Sequence, residues 1–130
     1  MEESLAWHRK DPASRMPVRA MALSLQSLYN GFEYIMKKIC QEIDGHVPRG
    51  DTWHADLVNR MGVATENRPP VFSEELLKEL HAMRALRHRI VHAYSFFLDP
   101  DTLAAASERA MKLSERFSTE VTTFFQVLSK

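Results

Sequence analysis

The sequence predicts an all-α domain, an antiparallel, up-and-down-like four-helix bundle with one short extra helix or arm. Apolar residues recur at spacings of three and four through long segments, the period of a helix with one buried face. No alternating pattern of strand length is present, and no internal repeat. The segments are parted by three compact clusters of breakers, Asp44–Gly50, Glu66–Pro70 and Asp99–Asp101. Short connections of this kind favour antiparallel neighbours.

Residues 1–16 read as an N-terminal arm, because Ser4 to Lys10 suit a helical turn but Pro12 and Pro17 break its continuity. The helical domain then occupies 17–130. Its first helix is expected from about Pro17 to Ile43, on the stripe Met21, Leu25, Leu28, Phe32, Ile35 and Ile39. A short helix follows from about Thr52 to Met61, with Thr52 placed to cap it and Trp53, Leu57 and Met61 along one face. Ser73-Glu74-Glu75 starts the third, since a hydroxyl N-cap followed by acids suits the positive end of the helix dipole. It is expected to run to about Phe97. Asp99 before Pro100 repeats the start signal, and Leu103, Ala106, Ala110, Leu113, Phe117, Val121, Phe124 and Leu128 mark the fourth.

A chain of 130 residues holds one such core and no second domain. Its 17 Lys and Arg balance its 17 Asp and Glu, so attraction to nucleic acid must come from a local patch. Cys40 is the only cysteine, which excludes an intramolecular disulfide or a multi-cysteine zinc site and suits a reducing compartment. The N-terminus shows no apolar leader, and no run approaches the ~20 apolar residues of a membrane span. A cytoplasmic protein that does not enter a membrane is the expectation.

Two charges interrupt the apolar lines. The third helix runs Leu76, Leu80, Met83, Arg87, Ile90, Tyr94, with a guanidinium in its middle. The first carries a flanking line of Tyr29, Glu33, Met36, Cys40 and Ile43, with one acid. Either Glu33 and Arg87 meet across the bundle as a partly buried pair, or both heads reach water at the stripe edge. Around Arg87 the chain reads Arg84-Ala85-Leu86-Arg87-His88-Arg89-Ile90-Val91-His92, three arginines and two histidines in nine positions without an acid. A phosphate is the natural partner of such a patch, with Arg84 and Arg89 placed to meet one. A metal reading of His81, His88 and His92 is weak, since there is no His-Glu-x-x-His and the arginines would repel a cation. No nucleophile elbow, phosphate-binding glycine loop or dinucleotide fingerprint is present. The chemistry falls to Arg, His and Tyr, with no metal and no cofactor.

Arg87, His92 and Tyr94 together reproduce an Arg-x4-His-x-Tyr motif. With Ser27-Leu28-Tyr29-Asn30-Gly31-Phe32-Glu33, Trp53-His54 and Arg68-Pro69-Pro70, the chain resembles the HepT-like branch of the HEPN superfamily from about Ala20 to Leu128. The resemblance implies a small helical ribonuclease of the toxin type, a homodimer, and a minimal nucleotidyltransferase (MNT-type) antitoxin as partner. It makes Arg87 and His92 the cleavage pair, Glu33 and His88 their orienting residues, and Tyr94 the hydroxyl that the antitoxin adenylylates.

Metal-independent cleavage of RNA needs one group to accept the 2′-hydroxyl proton, one to protonate the leaving 5′-oxygen, and a cation to hold the phosphate. One catalytic histidine per chain leaves a proton role open, which a two-fold dimer would fill. Helix geometry constrains the trio: five residues turn about 140° and seven bring the side chain back, so Arg87 and Tyr94 align while His92 points elsewhere. A shared cleft then needs a bent Arg87, a distorted helix near Val91–His92, or a cleft between chains. Two other readings remain: a non-catalytic helical protein that binds a nucleotide or a nucleotidyltransferase, and a purely structural dimerisation bundle.

Overall fold

The computed structural model describes residues 2–10, 16–92 and 98–129. They form α1 (Glu2–Lys10), α2 (Met16–Ile39), α3 (Trp53–Arg60), α4 (Glu74–His92) and α5 (Pro100–Leu128), and no strand among them. The all-α bundle expected from the sequence is the fold. Contacts give its directions. Ser73 meets Glu120, Glu75 meets Arg116 and Glu79 meets Arg109, so α4 and α5 run antiparallel. Phe32 stacks on Phe117 with ring centroids 4.3 Å apart. Leu25 shares a hollow with Ala110, and Ile39 shares another with Phe125, so α2 and α5 run the same way.

Local signals start these helices as expected. Ser73 Oγ accepts from the Leu76 N–H at 3.3 Å, and the Asp99 carboxylate accepts from the N–H groups of Asp101 and Thr102 with Pro100 in the first turn. Thr52 differs: it makes no side-chain cap, and its hydroxyl donates to Asp56 Oδ2 at 2.8 Å instead. Residues 2–10 of the expected arm are a helix, α1, packed on α2 and α5. Leu5 is buried and Arg9 pairs with Glu108, while Glu2 and Glu3 suit the dipole of the first turn.

The long helix also ends differently. α2 stops at Ile39, and Cys40–Asp44 form a π-helical turn closed by Gly45, whose φ of 75° favours glycine. This turn delivers Asp44 to a buried network. The Asp44 and Arg68 side chains are both fully buried. Arg68 Nε donates to Asp44 Oδ1 at 2.7 Å and its NH2 group to Oδ2 at 3.0 Å, while Arg60 Nε donates to the same Oδ2 at 2.7 Å. Arg68 also donates to the carbonyls of Val63, Pro69 and Arg60, so the guanidinium ties the 61–72 connection together.

Burial alone would push the Asp44 carboxyl up, but the hydrogen bonds and charges of Arg68 and Arg60 outweigh it and hold it below the ordinary carboxylate range. A carboxyl lowered in the folded state contributes stability that is full above its unfolded pKa of about 3.9 and is lost as pH falls through the folded value. Asp44→Ala strands Arg68 and is expected to lower the free energy of unfolding by about 3–5 kcal/mol in urea titrations at pH 7. The same variant should lose less stability than the wild type when the titration is repeated below pH 4.

Candidate functional site

The polar centre of the molecule lies where α2, α3 and α4 meet. On α2, Asn30 and Glu33 stand one turn apart. Asn30 Oδ1 accepts from Arg87 Nε at 2.7 Å, and Glu33 Oε2 accepts from His54 Nδ1 at 2.5 Å. The sequence-based pairing of Glu33 with Arg87 is therefore not formed. Glu33 is 4% exposed, and the partner that covers its carboxylate is the imidazole that α3 lays over α2. Arg87 does not interrupt the apolar line either. Leu86 continues the buried set Leu76, Leu80, Met83 and Ile90, and Arg87 stands half-buried at the edge. Steps of three and four from Met83 reach Ile90 through either residue, so periodicity alone does not choose between them.

Beneath these pairs lies Tyr29, fully buried, with no hydrogen-bond partner for its hydroxyl among the described residues. Burial first, and the Glu33 carboxylate second, push its pKa up against the opposing charges of Arg84 and Arg87. The phenol is neutral at any physiological pH. Arg84 is held from the other side: its Nε donates to His81 Nδ1 at 3.3 Å, and His81 Nε2 bonds Asn59 Oδ1 of α3 at 2.8 Å. Because Nδ1 accepts, the ring carries its proton on Nε2 and donates to the amide.

The remaining predicted residues lie at the C-terminal end of α4. His88 and His92 are exposed, with ring centroids 4.4 Å apart. With Arg89, Leu98 and Thr102 they line an open hollow of about 510 Å³ between α4 and α5. The backbone is α-helical through His92. Distortion at Val91–His92 is therefore not how Arg87 and His92 come together, and no contact joins their side chains. Arg87 faces α2 and His92 faces the hollow. Tyr94 lies outside the described residues. Among the described residues, no group of three or more His, Cys, Asp or Glu side chains could hold a metal ion, and no helix is long and apolar enough to cross a membrane.

A family model described as HepT-like protein matches residues 20–128. The chain belongs to the HepT-like family. It is thereby a HEPN-superfamily protein, and the match runs from Ala20 within α2 through the end of α5 and includes every residue of the polar centre. No curated protein and no solved structure matches it.

In this HepT-like chain the residues that sequence reasoning left without a role are Asn30, Asn59, His54 and His81. Asn30, His54 and His81 each bond a charged neighbour, and Asn59 bonds His81. Asn30 and His54 sit in runs that carry the family resemblance, but one sequence cannot tell a packed polar residue from one directed at a partner. Asn59 had no signal, and His81 entered only the weak metal reading with His88 and His92.

His81 offers a direct check of the arrangement. Burial foremost, and then the Arg84 charge, lower its pKa from the ordinary histidine value. A histidine so lowered contributes stability that is complete above its unfolded pKa of about 6.5 and is lost as pH falls through the folded value. In an NMR titration the His81 ring should show a midpoint below 6.5. Arg84→Met should move that midpoint upward, and an unmoved midpoint would rule out the His81–Arg84 contact in solution.

Proposed function

We propose that this HepT-like chain is a metal-independent endoribonuclease of the toxin type, acting as a homodimer and neutralised by a minimal nucleotidyltransferase that adenylylates Tyr94. One observation carries the reading. Arg87 is anchored through Nε on Asn30, while its terminal nitrogens have no partner among the described residues. A guanidinium fixed at one edge and open at the other is suited to hold a phosphate as negative charge builds on it. HepT-like proteins are generally nuclease toxins, and the chemistry on α4 agrees with that role.

Arg84 and Arg89 extend the positive charge along α4 to neighbouring phosphates, and His88 packs against His92 and limits its ring orientation. His92 moves one of the two protons. The 2′-hydroxyl attacks phosphorus, the 5′-oxygen leaves, and the products are a 2′,3′-cyclic phosphate and a 5′-hydroxyl. A two-fold dimer sets the exposed basic ends of two α4 helices beside one groove, which joins their cations for a longer RNA segment. Tyr94 follows His92 by two residues, so an adenylyl group there brings a negative phosphate to the basic run and obstructs RNA.

The purified protein should cleave single-stranded RNA in the presence of a chelator. His92→Ala is expected to reduce the rate by about 10²–10⁴-fold, the usual worth of a positioned acid or base, with the helical circular dichroism unchanged. Undiminished cleavage by that variant would remove His92 from the mechanism. A wild type that binds nucleotide tightly and cuts no RNA would instead identify a non-catalytic helical partner.

A further inference from the structure

A trough runs along the seam between α4 and α5. One part of it, about 340 Å³, is floored by the buried side chains of Leu25, Met83 and Leu113, with the exposed Ala82 of α4 and Ala105 of α5 on its walls. Leu86, Arg89 and Thr102 line this part and also line the hollow that holds His88 and His92, so the two spaces are continuous. Glu79 closes the other end, thirteen residues before His92 and about 20 Å from it along the axis of α4. An apolar floor with a few polar groups at its rim suits a flat ligand whose faces are apolar and whose edge is polar.

The charges around the trough narrow the choice of ligand. Arg89 stands exposed at the junction of its two parts and makes no ion pair among the described residues. At the far end Arg109 of α5 reaches across the seam to Glu79 of α4, one terminal nitrogen donating to both carboxylate oxygens at 3.3 and 3.4 Å. These bonds are long and the two side chains are 66% and 43% exposed, so the pair is loose and the carboxylate keeps lone pairs for another donor. The second acid of the trough, Asp99, is committed to the start of α5, where it accepts from the N–H groups of Asp101 and Thr102 and from the Thr102 hydroxyl. A nucleotide uses all three features at once: the face of its base meets the apolar floor, its N–H edge meets Glu79, and its phosphate meets Arg89. Glu79 and Arg89 are ten residues apart on α4, about 15 Å, a length that a base, its ribose and the adjoining phosphate fill end to end. An apolar peptide side chain would use the floor alone and leave both charged ends unanswered.

Resting on the ribonuclease reading, we propose that the trough between α4 and α5 is a base-binding subsite for one unpaired guanine of the RNA substrate. The Glu79 carboxylate accepts from the guanine N1–H and from its exocyclic amino group, two adjacent donors that no other RNA base presents on its pairing edge. Adenine and cytosine set a ring lone pair beside their amino group, and uracil flanks its N–H with carbonyls, so each turns an acceptor toward the carboxylate. Arg109 holds Glu79 from the opposite wall, Arg89 takes the phosphate of the bound nucleotide, and the strand continues into the hollow at His92. Unpaired RNA is suited to such reading because its bases are free to leave the stack. Base preference then resides in the walls of α4 and α5, apart from the residues that carry the chemistry.

The test measures binding apart from cleavage, by fluorescence anisotropy with 2′-O-methyl hexanucleotides, which lack the attacking hydroxyl. One is all uracil, and the others carry a single guanine or a single adenine among uracils. Wild type is expected to bind the guanine oligonucleotide about 10–100-fold more tightly than the other two, the usual worth of a bidentate contact to a base edge. Glu79→Gln, which replaces one acceptor oxygen by a donor, and Ala82→Phe, which fills the trough from an exposed position, should each abolish that preference with the helical circular dichroism unchanged. Wild-type cleavage of unmodified RNA should fall beside guanines. A guanine preference that survives in Ala82→Phe overturns the assignment, and guanosine monophosphate bound as tightly as the oligonucleotide would make the trough a free-nucleotide site instead. A wild type that cuts RNA but binds the three oligonucleotides alike overturns the subsite and leaves the ribonuclease reading standing. A wild type that neither binds nor cuts RNA overturns both.

Discussion

The bidentate bond between Arg68 and Asp44 sets the geometry on which the polar centre depends. Two fully buried opposite charges are tolerated only when nearly every donor and acceptor is satisfied, and here Arg60 and three backbone carbonyls complete the set. The network joins the π-helical end of α2 to the last turn of α3 and to the segment that leads into α4. The N–H groups of Val71 and Phe72 also return to the Met61 carbonyl, at 2.8 and 3.1 Å. The lie of α3 on α2, and the register in which α4 passes α2, follow from these ties. His54 can then reach Glu33, and Arg87 can reach Asn30, without either partner leaving its helix.

Much of the fold was legible because it is written in repeated, local signals. The α5 stripe is buried at Leu103, Ala110, Leu113, Phe117 and Phe124, and its start rests on the Asp99 carboxylate. Such helices are specified by period and cap together, and the two agree. α1 was less legible, since one buried leucine among charged neighbours carries little periodic signal and its stability comes from docking onto α2 and α5. The end of α2 was less legible for another reason. The line through Cys40 and Ile43 continues the helical spacing, and only the tertiary pull on Asp44 accompanies its widening into a π turn.

The site was legible in its composition and not in its pairing. A run of three arginines and two histidines announces a basic surface, and the resemblance singles out Arg87 and His92. Which acid faces which base depends on the rotation of α2 against two neighbours, and a shift of one turn decides it. Asn30 and Glu33 are both within reach of α4 and α3 by spacing. Burial separates them: the exposed position holds the neutral amide, and the buried position holds the charge that an imidazole then covers. A sequence pattern with period 3.6 has no term for that choice.

Tyr29 shows what this arrangement costs. A buried hydroxyl without a partner is unfavourable by about 1–3 kcal/mol, and a phenylalanine of the same shape would avoid the penalty. Its aromatic neighbour Phe32 packs edge-on at 6.5 Å and provides no acceptor. The charges around the phenol are all committed elsewhere, Glu33 to His54, Arg84 to His81 and Arg87 to Asn30. Each of those commitments aims a charged or titratable head from the interior toward the outer face of the α2, α3 and α4 junction. Polar groups that served stability alone would be expected to close on one another, as Asp44 and Arg68 do in the same molecule. The two clusters therefore differ in kind: one is saturated and sealed, and the other, among the described residues, holds an orphaned hydroxyl within and guanidinium nitrogens without a partner at its edge.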